Sequence, residues 1–392
     1  MKKKVLFLTT QFNHGGVERS LVEVCKALDP QKYDITIFLR YNKTELIYLL
    51  PDYVRVIIDI DGPYYRYPKS VLLQLLKKTC KIIKRADLEN EYSFKLSEYI
   101  QNKKIQNPQK RFFKNETFDV VISYTIHLCT EMALFIPADK HYVFFHSEEA
   151  DFHKDITLRC FPEFDRIVAV GPGVELLLRE NFPQFDDKII QLCNYIDAPK
   201  IYKLAQEEVE ELFVAKSSGR LVLTTSARMD KEKAYELAVK AAAILRSNGI
   251  DFKWFFLGDG SERARIEKMI GELSLENNIC LKGFVNNPYP YMSECDIYVH
   301  PAYLEAQPLA IMEAIVLGKA IVSTDSLGGK AVLNYGEKGL LVSQNAEAIA
   351  EGILTFLKNP QLKESFENRY TLEDNMREKK EYAEQWDKLL SE

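Results

Sequence analysis

The stretch from Asp296 to Asp325 constrains this chain more than any other. Ile297 to His300 is a short apolar run of the kind buried in a parallel sheet. Pro308 suits the first turn of a helix, where its missing N–H has no partner to lose. Gly318 stops that helix, and Ala320 to Ser323 reads as the next strand. The result is a βαβ unit, whose ligand site lies at the carboxyl ends of its strands.

A helix starting at such an end offers unpaired N–H groups and the positive pole of its dipole to an anion. Pro308 gives up one donor, so Leu309 and Ala310 are the useful ones. Glu305 precedes the helix, and Glu313 lies five residues beyond Pro308, roughly 7 Å along the axis at about 1.5 Å per residue. That is the step from a diphosphate to its ribose. Glu313 then suits ribose hydroxyls, and Glu305 suits the group on the other side of the phosphates. Solvated helix charges show the same spacing, and it is the βαβ context that favours a ligand.

The segment "EAQPLAIMEAIVLGKAIVSTD", with seven residues between Glu305 and Glu313, closely resembles the signature of the retaining glycosyltransferases of family 4. The resemblance spans nearly the whole chain. It implies the GT-B fold: α/β, two Rossmann-like doubly wound domains facing across a cleft. It also implies a nucleotide diphosphate sugar as donor, UDP-sugars being commonest among look-alikes, and a glycan or lipid-linked acceptor in surface polysaccharide synthesis. Neither cofactor nor metal is expected, and no Asp-x-Asp ligand set stands where a metal-bridged diphosphate would need one.

Other segments add to the likeness. In "SARMDKEKA", Arg228 and Lys233 flank the turn after the strand Leu221 to Ser226. Such charged turns are common, but the resemblance makes this pair the grip on the donor diphosphate, where cations offset growing charge. In "YVFFHSE", His146 ends the strand Tyr142 to Phe145, and the resemblance puts it at the donor sugar, although a lone histidine there also serves structure. Gly15-Gly16-Val17-Glu18 is by itself a turn signal. It resembles the family's first loop, beside the donor phosphates and the acceptor. Gly258, within Leu257 to Ser261, permits close backbone approach and matches a loop lining the donor cleft. Gly283-Phe284-Val285 matches the segment that meets the base through main-chain atoms. Catalytic roles thus fall to His146, Glu305, Arg228 and Lys233. Gly15, Gly16, Gly258, Val285, Gln307, Pro308, Leu309 and Glu313 join Arg228, Lys233 and Glu305 as donor-binding residues. Ala306 stands where a glycine is usual, Gln307 where an aromatic is common, and Ala227 and Ala234 where glycine is frequent. Gln307 is expected to bear on which sugar is bound.

At 392 residues, two domains are expected. Residues 1–195 form the acceptor-side domain and 196–370 the nucleotide-sugar domain. In 371–392, a final helix with Tyr382, Trp386 and Leu389 on one side returns to the first domain. Thr324 to Gly329 reads as a Gly-ended loop and Lys233 to Ser247 as a helix. Net charge of −5 argues against nucleic-acid binding, but Arg66 to Lys114 holds thirteen Lys and Arg against four Asp and Glu, leaving −14 for the remainder. An apolar helical stripe there, Val71, Leu72, Leu75, Leu76, Thr79, Ile82 and Ile83, has basic flanks. It suits either an interfacial helix on anionic lipid or a packed helix with a solvated basic side. Seven cysteines without a Cys-x-x-Cys pair read as reduced thiols. The N-terminal apolar run is too short for a signal peptide and no stretch reaches the roughly 18 apolar residues of a membrane span. A cytoplasmic protein, peripheral at most on the inner face of the membrane, is expected. Two rivals share the fold: a nucleotide-sugar epimerase, which needs no acceptor, and a non-catalytic accessory subunit, which lost active-site charges would mark.

Overall fold

The computed structural model describes residues 1–13, 15–59, 112–113, 116–126, 128–146, 158–367 and 369–392. Continuous apolar runs make strands buried on both faces, as parallel sheets require. The first sheet holds β1 (Lys3–Thr9), β2 (Tyr33–Leu39), β3 (Arg55–Ile58), β4 (Phe118–Ser123), β5 (Ala138–Phe145), β6 (Arg166–Ala169) and β7 (Ile189–Gln191), in the order β3-β2-β1-β4-β5-β6-β7. With it go helices α1 (Gly16–Ala27), α2 (Leu128–Ala133) and α3 (Pro172–Asn181). Helices α4 (Ala198–Leu204) and α5 (Glu210–Ser217) lead into the second sheet.

That sheet contains β8 (Leu221–Ser226), β9 (Phe252–Leu257), β10 (Ile279–Gly283), β11 (Ile297–His300), β12 (Ile321–Thr324) and β13 (Leu340–Val342), ordered β10-β9-β8-β11-β12-β13. Between its strands run α6 (Tyr235–Ser247), α7 (Arg263–Glu272), α8 (Tyr289–Glu294), α9 (Leu309–Val316) and α10 (Leu327–Val332). Then follow α11 (Ala346–Lys358), α12 (Pro360–Phe366) and α13 (Leu372–Ser391). Every strand pairing in both sheets is parallel. Strand order reverses between β1 and β4 and again between β8 and β11. Ligands of doubly wound sheets bind at such reversals, so the loops after β1, β8 and β11 become the places to look.

The last helix crosses back onto the first sheet. Trp386 is fully buried and stacks on Phe144 with centroids 5.2 Å apart and planes 4° from parallel, and it also meets Phe7 at 5.9 Å. Around that anchor, Tyr142 donates from its hydroxyl to the Leu389 carbonyl at 3.0 Å and Lys3 Nζ donates to the Leu390 carbonyl at 2.7 Å. Asp387 takes Lys32 and the Tyr33 hydroxyl. The two chain crossings touch: Asn375 accepts from the Tyr195 hydroxyl at 2.8 Å and donates to the Ile196 carbonyl at 2.6 Å.

Several local expectations change. Pro308 lies outside the first turn: it is the N-cap, with φ −72° and ψ 97°. Lys233 ends a short 3-10 turn, Ala234 turns left-handed at φ 46°, and α6 starts only at Tyr235. An L-residue in that conformation costs about 1–2 kcal/mol, so a glycine would fit this position without that strain. Thr324 to Gly329 is not a plain loop, because Ser326 caps α10 by accepting from the Gly329 amide. Just past the expected boundary at 195, where Asn194 to Pro199 has the polar and Pro character of a linker, Ala198 and Pro199 instead open α4, capped by Asp197. The basic helix expected within 66–114 lies outside the described residues, apart from Phe112 and Phe113, which pack on Phe38.

Candidate active site

The loop after β11 supplies the centre of the site. His300 ends that strand, and the chain runs through Pro301 to Glu305 before α9 begins. Thr324, at the end of the neighbouring β12, holds the loop: its hydroxyl accepts from the Ala302 amide at 2.8 Å and donates to the Ala302 carbonyl at 2.6 Å. The Glu305 carbonyl takes the Gly328 amide at 2.8 Å. On the other side the Tyr303 amide donates to the Glu232 carbonyl at 2.8 Å, which ties this loop to the one after β8.

Glu305 Oε1 meets Lys233 Nζ at 2.7 Å and His300 Nε2 at 2.8 Å. Burial by itself pushes this carboxyl up, but the Lys233 charge and the two hydrogen bonds overcome it and hold Glu305 down to about 2. His300 is only 1% exposed. Its pairing with Glu305 was absent from the sequence reading, where it served only to end a strand. The available signal was a histidine at a strand's carboxyl end, five residues before the key carboxylate.

Next to Glu305 stands the start of α9, where the helix itself gives the Leu309 and Ala310 amides no acceptor. Glu313, on the following turns, accepts from the Tyr289 hydroxyl at 3.0 Å. Burial raises its carboxyl, with Arg19 pulling the other way from 4.0 Å. Val285, Tyr289 and Leu309 share one apolar cluster beside it. The start of α9 thus sets an apolar wall and a carboxylate beside amides that the helix leaves without an acceptor.

Arg228 is largely exposed, pairs with Asp230 at 3.0 Å and acts electrostatically on Glu18 of α1. The structure thus brings Lys233 and Glu305 into contact and sets Arg228 on the same loop as Lys233. His146 comes from the opposite sheet. Its Nε2 is buried without a hydrogen-bond partner among the described residues, between Tyr124 at 4.6 Å and Phe144 at 6.2 Å. Burial lowers its basicity to about 3, so the ring is neutral near pH 7.

The two carboxyl ends face one another. A Cβ on Gly16 would lie 3.5 Å from Leu309 Cδ1, and Arg19 reaches Glu313. At the start of α3, a Cβ on Gly171 would lie 3.0 Å from the Ala306 carbonyl, and one on Gly173 2.9 Å from Leu327 Cβ.

Three assigned residues do something other than expected. Gln307 Oε1 accepts from the Asn194 amide at 2.8 Å, so its side chain is committed to the linker between domains. Gly258, with φ 144°, leaves room for the Ala227 carbonyl, 1.8 Å from where a Cβ would sit. Likewise the space over Gly15 is filled by Glu18, whose Oε2 would be 2.1 Å from a Cβ. Both glycines permit a close approach, and in each case it is the protein's own atoms that approach. Among the described residues no group of three or more His, Cys, Asp or Glu is arranged to hold a metal ion, and no helix is long and apolar enough to cross a membrane.

Residues 208–372 match the family model described as glycosyl transferases group 1. Over 375 residues, 94% of each chain, the protein is 25% identical to the N-acetylgalactosamine-N,N'-diacetylbacillosaminyl-diphospho-undecaprenol 4-alpha-N-acetylgalactosaminyltransferase of Campylobacter jejuni. It is 24% identical, over the full length of both, to an uncharacterised glycosyltransferase of Haemophilus influenzae. Among solved structures, Anabaena HepE in complex with UDP and glucose superposes with a TM-score of 0.72 at 15% identity, over 99% of each chain. Two parallel-sheet domains meeting across a cleft, with the group 1 segment supplying the half that carries Lys233 and Glu305, place this chain among the GT-B glycosyltransferases.

Proposed function

We propose that the protein transfers a sugar from a UDP-sugar to a lipid-linked or surface glycan, with retention of anomeric configuration and without a metal. The observation that carries this is the Glu305 carboxylate, fixed by Lys233 and His300 directly ahead of the open start of α9, with Glu313 on the same helix. In this reading Lys233, Arg228 and the Leu309 and Ala310 amides receive the diphosphate and offset its charge as the sugar departs. Glu313 accepts from the ribose, with Val285 and Leu309 beside the nucleoside. Glu305 orients the sugar hydroxyls. The neutral His146 ring faces the sugar from the first domain. Attack comes on the face the diphosphate leaves, and a leaving phosphate oxygen takes the acceptor proton.

The nature of the relatives supports the donor and acceptor classes. HepE was solved with UDP and glucose, and the Campylobacter jejuni enzyme is named for a diphospho-undecaprenol-linked saccharide. Such an acceptor suits a cytoplasmic protein peripheral to the membrane, with the basic segment 66–114 against anionic lipid. Binding to anionic but not neutral vesicles at low salt is the expected result.

A thermal-shift screen of nucleotide sugars tests the donor. A ligand at about 100 times its dissociation constant adds roughly 2.7 kcal/mol. The best donor is then assayed for transfer in excess chelator, with the product anomer read by NMR. Stabilisation by UDP-sugars, full activity in chelator and a retained anomer are expected. No stabilisation by any nucleoside diphosphate would end the proposal, and an inverted product or activity restored only by Mg would overturn the corresponding part. An epimer formed from donor alone would point instead to the epimerase.

A further inference from the structure

Glu305 presents a single oxygen, Oε1, to both of its neighbours, Lys233 and His300. In the donor reading, Lys233 has a second duty, because its ammonium is also wanted at the diphosphate. A carboxylate as buried as Glu305 cannot be left without a partner when that ammonium turns away, since removing one member of a buried pair is strongly destabilising. His300 is placed to remain. An ionised carboxylate only accepts, so the proton in this contact is on Nε2. The far ring nitrogen, Nδ1, lies 3.3 Å from the Tyr298 hydroxyl, which is also 3.3 Å from the Ser226 carbonyl at the end of β8. The hydroxyl carries one proton and the Ser226 carbonyl can only accept, so the Tyr298 proton serves either that carbonyl or Nδ1. A hydrogen bond at the far nitrogen fixes which nitrogen of a histidine carries the proton. Buried as it is, His300 reaches no substrate itself.

We propose that His300 is a positioning residue for sugar transfer: through Nε2 it keeps Glu305 aimed at the donor sugar while Lys233 leaves that carboxylate for the diphosphate. The proposal rests on the donor reading above and adds to it a division of labour, in which one partner of Glu305 moves and the other stays. It also explains why the loop is tied so firmly at Ala302 by Thr324, because a fixed histidine holds a carboxylate in place only if the backbone between them is fixed as well.

Three variants test it. His300→Gln keeps an N–H donor near the Nε2 position, His300→Asn reaches only the Nδ1 position, and His300→Leu offers neither. Each is assayed for UDP affinity by calorimetry and for turnover of whichever UDP-hexose or UDP-N-acetylhexosamine stabilises the wild-type protein most. Removing an outer partner of this kind costs about 10–100-fold. His300→Asn and His300→Leu are expected to lose turnover by that factor while UDP affinity stays within about twofold, because the nucleotide does not touch Glu305. His300→Gln is expected to recover most of the loss. If His300→Leu does not fold, the Gln and Asn pair carries the same contrast. Equal turnover in Gln and Asn would overturn the proposal, as would UDP affinity falling in step with turnover, which general loosening of the site would produce. A wild-type protein that binds no nucleotide and turns over no donor would overturn the donor reading and this proposal together; an active wild type indifferent to His300 would overturn this proposal alone.

Discussion

Replacing Lys233 by Met leaves Glu305 buried with His300 as its remaining partner, and the cost follows from the carboxyl's own equilibrium. Its pKa falls from 4.5 to about 2 in the folded protein. At about 1.4 kcal/mol per pH unit, that gap stabilises the fold by about 3 kcal/mol at neutral pH. The group is depressed, so its stabilisation is complete above pH 4.5 and lost as pH falls toward 2. By the same linkage relation about 1 kcal/mol is left at pH 3. Lys233 supplies the leading favourable share, so Lys233→Met is expected to cost about 2–3 kcal/mol at pH 7 and under about 1 kcal/mol at pH 3. Urea unfolding followed by tryptophan fluorescence reads this, because Trp254 is fully buried in the second domain. A Trp386→Phe background removes the signal from the other domain. A cost below about 1 kcal/mol at pH 7, or one that does not shrink on acidification, would refute the reasoning.

Four further outcomes are expected. Arg228→Ala and Lys233→Ala are each expected to cut turnover about a hundredfold or more, the size of one lost preorganised charge contact; near-normal turnover in the double variant would exclude both from the reaction. His146 carries a lowered pKa, so its contribution to stability is whole above pH 6.5 and lost as pH falls toward 3. Between pH 7.5 and 5 the wild type should therefore lose about 2 kcal/mol more than His146→Asn, by urea midpoints. Trp386→Ala empties a fully buried site and should cost about 3–5 kcal/mol, with protease cleavage ahead of α13 as an independent readout. Gly173→Ala puts a Cβ 2.9 Å from Leu327 across the domain interface; it should raise the donor KM more than it lowers the melting temperature, and an unchanged KM would mean that the seam yields freely.

The alternation of strand and helix was legible because burial on both faces leaves unbroken apolar runs, and β8 and β11 fall at Leu221 to Ser226 and Ile297 to His300, where those runs stand. The helix carrying Glu313 was legible from its apolar spacing and the Gly318 stop, although its start was read at Pro308, which is the N-cap. The three-residue β7 was not, since Ile189–Gln191 carries too little pattern to separate from a loop. Contacts made across loops left no periodic trace, so His300 on Glu305 and Arg19 near Glu313 were missed. Gln307 was assigned from its place in a motif, but which neighbour a polar side chain meets depends on the linker, and Asn194 took it. Gly258 signalled a close approach correctly, but sequence alone cannot say that the approaching atom is the carbonyl of Ala227.

The return of α13 to the first sheet carries a consequence for synthesis of the chain. Lys3 is hydrogen-bonded to a residue 387 positions downstream, and Phe7 and Phe144 are covered by Trp386. On a ribosome adding about 5–20 residues per second, the first sheet is complete for roughly ten to forty seconds before its covering helix exists. During that interval the Phe7 and Phe144 rings stand open to the cell's other nascent chains and chaperones. The first domain to be made is therefore the last to be sealed.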